Sequence, residues 1–177
     1  IQESAAEIGA RAVLTSEGHE SGTDRLAEVI DFLELPDETV VVNLQGDEPM
    51  MPPVLLAQVA NLLRAKPEAA MATLMVPIAG REEFLSPDAV KVVANERAEA
   101  MYFSRAPIPF HRDGLPEPGE AGIFGFRHLG LYAYRAGFLR RFVQAGSPEV
   151  ERLEKLEQLR ALSMGEIIAI EIAEVTP

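Results

Sequence analysis

"VVVNLQGDEPM", residues 40–50, joins a continuous β-branched run to a polar turn, and its reading decides the fold. An unbroken run such as Val40–Val42 suits a strand covered on both faces. Upstream, GTDRLAEVIDFLEL (22–35) repeats its apolar residues at helical spacing; downstream, PPVLLAQVANLLRAK (52–66) reads as a helix with proline in its first turn. Helix, strand, helix predicts an α/β fold with a parallel sheet. Ligands of such sheets collect at the carboxyl ends of the strands, where QGDEP (45–49) falls, and Gly46 permits close backbone approach. Asp47 then has two readings. One is a solvated turn, since Asp and Gly are turn formers. The other is a ligand of Mg²⁺, a hard cation that bridges carboxylates to phosphates.

Further along, MATLMVPI (71–78) reads as another strand, and AVKVVANERAEAMYFS (89–104) as two β runs around a polar turn, an antiparallel insertion with no room for a crossover helix. Residues 107–125, rich in Pro and Gly and containing HRDG, read as a surface loop. RHLGLYAYR (127–135) resumes a strand and AGFLRRFVQAG (136–146) suggests a short helix. SPEVERLEKLEQLRALSMG (147–165) predicts one helix with Ser147 as N-cap, Pro148 at its first position and Gly165 as its stop, before a final strand in EIIAIEIAE (166–174). At the start, residues 1–9 read as a helix ended by Gly9, followed by a short strand in RAVLT (11–15). The strand expected before that helix is missing, so the chain opens in mid-unit and reads as a segment of a longer one.

Composition narrows the function. With 177 residues and 47% hydrophobic content, the chain is the size of one domain. Sixteen Lys and Arg against 28 Asp and Glu give a formal charge of -12, which argues against a general nucleic-acid or anionic membrane surface. An anionic ligand needs a locally basic pocket. The absence of cysteine removes disulfides and zinc-thiolate sites, and no apolar run approaches the roughly 20 residues of a membrane span. A cytoplasmic location fits this composition.

Several polar residues stand out against the pattern. Val150, Leu153, Leu156, Ala161 and Met164 share one helical arc, and Glu157 lies inside it beside Arg160. A carboxylate there either pairs with Arg160 or faces a polar ligand. Gln158 falls on a neighbouring face. In GHESGTDR (18–25), Ser21, Gly22 and Thr23 run into a helix and offer amides and hydroxyls to an anion or base, with Arg25 adding charge; an ordinary helix cap also fits. Arg105 follows an apolar strand. His128 and Tyr132 lie four apart on one strand face, where packing and chemistry both remain open, and Lys91, alternating with valines, reads as pointing to solvent.

Together HESGTDRLAEV, VVNLQGDEPM, MATLMVPI, DAVKVV, YFSRAPIPF, RHLGLYAYRAGFLRRFV and LEKLEQLR resemble, in order, successive blocks of the 3-deoxy-manno-octulosonate (Kdo) cytidylyltransferases, also called CMP-Kdo synthetases. The resemblance covers nearly the whole chain and departs only in residues 111–124. It implies a mononucleotide-binding (Rossmann-like) nucleotidyltransferase sheet with an antiparallel β insertion. The implied reaction transfers CMP from CTP to the anomeric hydroxyl of Kdo, releasing pyrophosphate and feeding lipopolysaccharide synthesis. By matching blocks, Asp47 is the implied Mg²⁺ ligand and Gln45 a nucleotide or sugar contact. Ser21, Gly22, Thr23 and Arg25 fall near the cytidine, while Arg105, His128, Tyr132, Glu157 and Gln158 line the Kdo site. A homodimer is also implied, with the strands of residues 91–105 as contact region.

Family members begin with a strand and a triphosphate-gripping loop and end with a segment bearing a second metal-binding aspartate. Neither matches any part of residues 1–177, which read as a single incomplete nucleotidyltransferase domain, expected to be a poor catalyst alone. Two rivals remain: a cytidylyltransferase for another sugar acid such as sialic acid, and a folded but inactive dimerising module.

Overall fold

The computed structural model describes residues 2–19, 21–44, 46, 50–116 and 122–177. Its elements are α1 (Gln2–Glu7), α2 (Gly22–Phe32), β1 (Val40–Asn43), α3 (Pro53–Ala65), β2 (Met71–Ile78), α4 (Arg81–Leu85), β3 (Lys91–Ala94), β4 (Ala100–Ser104), β5 (Gly125–Arg135), α5 (Ala136–Gln144), α6 (Glu149–Glu154), α7 (Gln158–Ser163) and β6 (Ile168–Ile172). Six strands form one sheet in the order β4-β3-β5-β2-β6, with β1 paired to β5 off that path.

The long strand β5 organises the sheet. Its second half lies antiparallel between β1, with Val40 opposite Arg135 and Asn43 opposite Tyr132, and β2, with Met71 opposite Tyr134. Its first half pairs with β3, with Lys91 opposite Arg127. The expectation of a parallel sheet is therefore corrected to a mixed one. β2 and β6 pair in parallel, but β1 and β2 are both laddered to an antiparallel strand that arrives much later in sequence. The β3–β4 hairpin is the antiparallel insertion that the sequence predicts.

Both faces of the sheet are covered, which explains the continuous apolar runs. Ala72, Leu74, Val76, Leu129, Leu131 and Ala133 pack under Leu55, Val59, Leu62 and Leu63 of α3. On the opposite face Met71, Met75, Tyr132 and Tyr134 pack with Ile30 of α2, Phe138, Leu139 and Phe142 of α5, and Leu156 and Leu159 of the following segment.

Two sequence expectations fail locally. Residues 11–15 form no strand, and Leu14 is 77% exposed; an isolated β-prone pentapeptide needs a partner edge to satisfy its backbone, and among the described residues none is paired with it. Residues 147–165 form two short helices. Lys155 adopts the left-handed conformation (φ 56°) and caps α6 by donating its N–H to the Glu151 carbonyl at 2.8 Å. That conformation costs a non-glycine residue about 1 kcal/mol. Leu153, assigned to the core arc, is accordingly 76% exposed, while Pro148 rather than Ser147 is the N-cap.

Candidate active site

The break at Lys155 turns Glu157 and Gln158 toward the sheet, and a cavity of about 570 Å³ opens between them and β5. Arg105, His128, Tyr132, Glu157 and Gln158, the five residues assigned to a sugar-acid site, all line it, joined by Asp88, Arg127 and Lys155. A second cavity, about 560 Å³, is lined by Gly22, Thr23, Arg25, Asn43 and Gly46 and also by Glu157. Both volumes suit small-molecule sites.

Glu157 thus stands at the junction. Its Oε2 accepts a hydrogen bond from Thr23 Oγ1 at 2.6 Å, while its buried Oε1 has no hydrogen-bond partner among the described residues. Arg160, the alternative partner, is 3.8 Å from that oxygen and is held instead by Glu151, through Nε to Oε2 at 2.8 Å and Nη2 to Oε1 at 2.5 Å. A buried carboxylate oxygen without a donor is suited to accept from a ligand hydroxyl.

Arg105 is fixed by backbone. Its Nε donates to the Glu154 carbonyl at 2.8 Å and its Nη1 to that of Pro87 at 3.0 Å, while its own amide donates to the Glu154 carboxylate at 2.9 Å. Behind it lies Lys91, and here the expectation of a solvent-facing lysine is overturned. Lys91 is 0% exposed, and its Nζ donates to the carbonyls of Ser86 at 2.6 Å, Ala89 at 2.5 Å and Arg105 at 2.6 Å. All three ammonium protons are used, so the charge is tolerated inside. Burial, followed by the nearby Arg105 charge, nevertheless pushes its pKa down.

His128 and Tyr132 share a face, as their spacing predicts, with ring centroids 5.3 Å apart. Burial and then the Arg127 charge lower the His128 pKa to about 3, so its imidazole is neutral, and burial raises that of Tyr132 well above the usual phenol range. Arg127 Nε lies 2.8 Å from Glu83 Oε1, yet off the N–H direction, so the contact is an ion pair without a hydrogen bond.

On the other side, Ser21 is the N-cap of α2 in a reciprocal capping box: its Oγ accepts from the Asp24 amide at 3.1 Å and its own amide donates to Asp24 Oδ2 at 3.1 Å. It borders a different cavity from Gly22, Thr23 and Arg25. Arg25 bonds Thr15 Oγ1 and the Ser16 carbonyl. Gln45 and Asp47 lie outside the described residues, as does Glu48. Among the described residues no group of three or more His, Asp or Glu is placed to hold a metal, and no helix is long and apolar enough to cross a membrane.

Sequence reasoning missed Arg127, Lys155, Asp88, Thr73 and the buried state of Lys91. Arg127 carried a usable signal: it directly precedes His128 in a strand whose neighbours are apolar.

The mixed sheet with its polar, partly cationic cleft has the fold of a solved nucleotidyltransferase. It overlays the solved structure of CMP:2-keto-3-deoxy-manno-octonic acid synthetase complexed with CTP with a TM-score of 0.84 and 38% identity, over 97% of this chain and 67% of that one. A family model described as cytidylyltransferase matches residues 1–168. The 3-deoxy-manno-octulosonate cytidylyltransferase of Halorhodospira halophila is 50% identical over 180 residues, 100% of this chain and 70% of the relative. That of Hahella chejuensis is 50% identical over 181 residues, 100% of this chain and 71% of the relative. The chain belongs to the cytidylyltransferase family.

Proposed function

We propose that the chain transfers CMP from CTP to Kdo, giving CMP-Kdo and pyrophosphate for lipopolysaccharide assembly in the cytoplasm. One observation carries the reading: five polar side chains from three separated stretches meet in one cavity that adjoins, through Glu157, the cavity of Gly22, Thr23 and Arg25. A polyhydroxylated acid needs cations for its carboxylate, which Arg105 and Arg127 offer, and polar partners for its hydroxyls, which Tyr132, Glu157 and Gln158 offer. Gly22, Thr23, Arg25 and Gln45, together with the capped turn at Ser21, belong to the nucleotide side. The anomeric oxygen attacks the α-phosphorus and pyrophosphate leaves, so these residues act by positioning two substrates and meeting charge.

Mg²⁺ is part of this proposal, with Asp47 as a ligand. Asp47 adjoins Gly46, which lines the nucleotide-side cavity, and a carboxylate there has the oxygen chemistry Mg²⁺ takes. The bound ion would neutralise charge on the phosphoryl oxygens. A homodimer across β4 also belongs here: β4 ends the main strand path, and its Met101 is 62% exposed.

The test is pyrophosphate release by a chimera in which this chain replaces the matching segment of the Halorhodospira halophila enzyme, supplied with CTP, Mg²⁺ and either Kdo or sialic acid. Release that requires Kdo and falls at least a hundredfold in Asp47→Asn supports both reaction and metal role. Release with sialic acid alone moves the substrate assignment, and a folded chimera that releases nothing removes the reaction.

A further inference from the structure

The ladder between β2 and β5 slips between Thr73 and Leu74: Leu74 faces Leu129, whereas Thr73 faces Tyr132. The slip carries the intervening Gly130 and Leu131 past Thr73, and the threonine hydroxyl fills the irregularity. Thr73 is 0% exposed, and its Oγ1 lies 3.1 Å from the Leu129 carbonyl oxygen, 2.9 Å from that of Leu131 and 2.9 Å from His128 Nε2.

A proton count decides the roles. A hydroxyl has one proton and carbonyl oxygens only accept, so the Thr73 proton goes to Leu129 or Leu131. Were it given to His128 instead, both carbonyls would face a bare oxygen. Toward His128 the hydroxyl therefore presents a lone pair, and Nε2 must carry the hydrogen. In a neutral ring the other nitrogen, Nδ1, is then unprotonated. With Nε2 turned to the sheet, Nδ1 is the nitrogen left for the cavity that His128 lines.

We propose that Thr73 is a positioning residue that fixes the Nε2–H tautomer of His128, so that His128 accepts a hydrogen bond from a hydroxyl of the sugar acid and does not donate to its carboxylate. This rests on the proposed Kdo reading for its substrate. It divides the cavity into a side that reads negative charge, at Arg105 and Arg127, and a side that reads a hydroxyl, at His128. A carboxylate placed against Nδ1 would meet a lone pair, so the acid can enter in one orientation only.

The decisive measurement is nitrogen NMR of the imidazole in the unaltered 177-residue chain near neutral pH. Its three histidines are distinguished by comparison with His128→Asn. The proposal expects a protonated Nε2 and a bare Nδ1 on His128, unchanged in tautomer when Kdo is added. A proton on Nδ1, with or without Kdo, overturns it. In the chimera, Thr73→Val is expected to raise KM for Kdo about tenfold with KM for CTP unchanged, and Thr73→Ser to restore it, since one hydrogen bond is at stake. Equal rises for both substrates, or no rescue by serine, reduce Thr73 to a packing residue and refute the positioning role. Should Thr73→Val not fold, the spectrum of the unaltered chain and the serine variant still decide. The expected tautomer in a protein that ignores Kdo would instead remove the substrate reading and leave the tautomer assignment standing.

Discussion

The two sides of the cleft are built differently. The side that holds Arg105, His128 and Tyr132 is made from strand residues and buried groups whose hydrogen bonds end on backbone: Lys91 on three carbonyls, Arg105 on two and Thr73 on those of Leu129 and Leu131. The side that holds Gly22, Thr23 and Arg25 is a capped helix start facing a turn, held by side-chain contacts at the surface. Backbone acceptors hold a geometry that few substitutions can imitate, whereas a cap can be replaced by several residues. Under the proposed function, the difference separates a rigid side that would select the acid from a capped side that would dock the nucleotide.

Breaking the rigid side should cost most. Lys91→Met strands three half-buried carbonyls, each worth about 1 kcal/mol, so urea denaturation should show a loss of about 2–3 kcal/mol. A loss below about 1 kcal/mol would mean that water reaches these carbonyls and that the contrast between the two sides is false.

His128 sharpens the contrast through pH. Its folded pKa, about 3, lies below its ordinary 6.5, so the unfolded chain takes up a proton that the native state refuses. Its contribution to stability is complete above pH 6.5 and is lost as pH falls toward 3, at up to about 1.4 kcal/mol per pH unit. Stability of the parent should therefore fall more steeply than that of His128→Asn between pH 6 and pH 4. Parallel curves would place the imidazole in water.

The smallest effect belongs to the side of the capped helix. Ser21→Ala removes the capping hydroxyl of α2 and should cost about 1 kcal/mol, a fall in Tm of about 2–4 °C, with KM for Kdo unaltered. A shift in KM for Kdo would join the two sides that are separated above.

What could be read from sequence follows the same division. Apolar periodicity located α2, α3, β2, the β3–β4 hairpin and β5, because each buries a face whose period is written in its residues. The direction of the sheet was not legible, since a strand's apolar face does not name its neighbour. Nor was the break at Lys155, where neither glycine nor proline marks the left-handed turn. Lys91 was misread for a related reason: alternation with valines reports a face, while three carbonyls leave no mark in the residues that bear them. Arg105, His128, Tyr132, Glu157 and Gln158 were found as one set through resemblance to a family, and their convergence on one cavity depends on that unmarked break.

The central place of β5 also sets a timetable. Among the described residues β1 is laddered only to β5, and β2 only to β5 and β6, so within this set neither has a sheet partner until residues 125–135 leave the ribosome. Thr73 waits for Leu131, 58 residues behind it. Contacts of such long range slow folding, and through most of synthesis the apolar strand MATLMVPI is open to other chains. The strand that completes the cleft is thus also the one whose late arrival ends a long exposure of the nascent chain to aggregation.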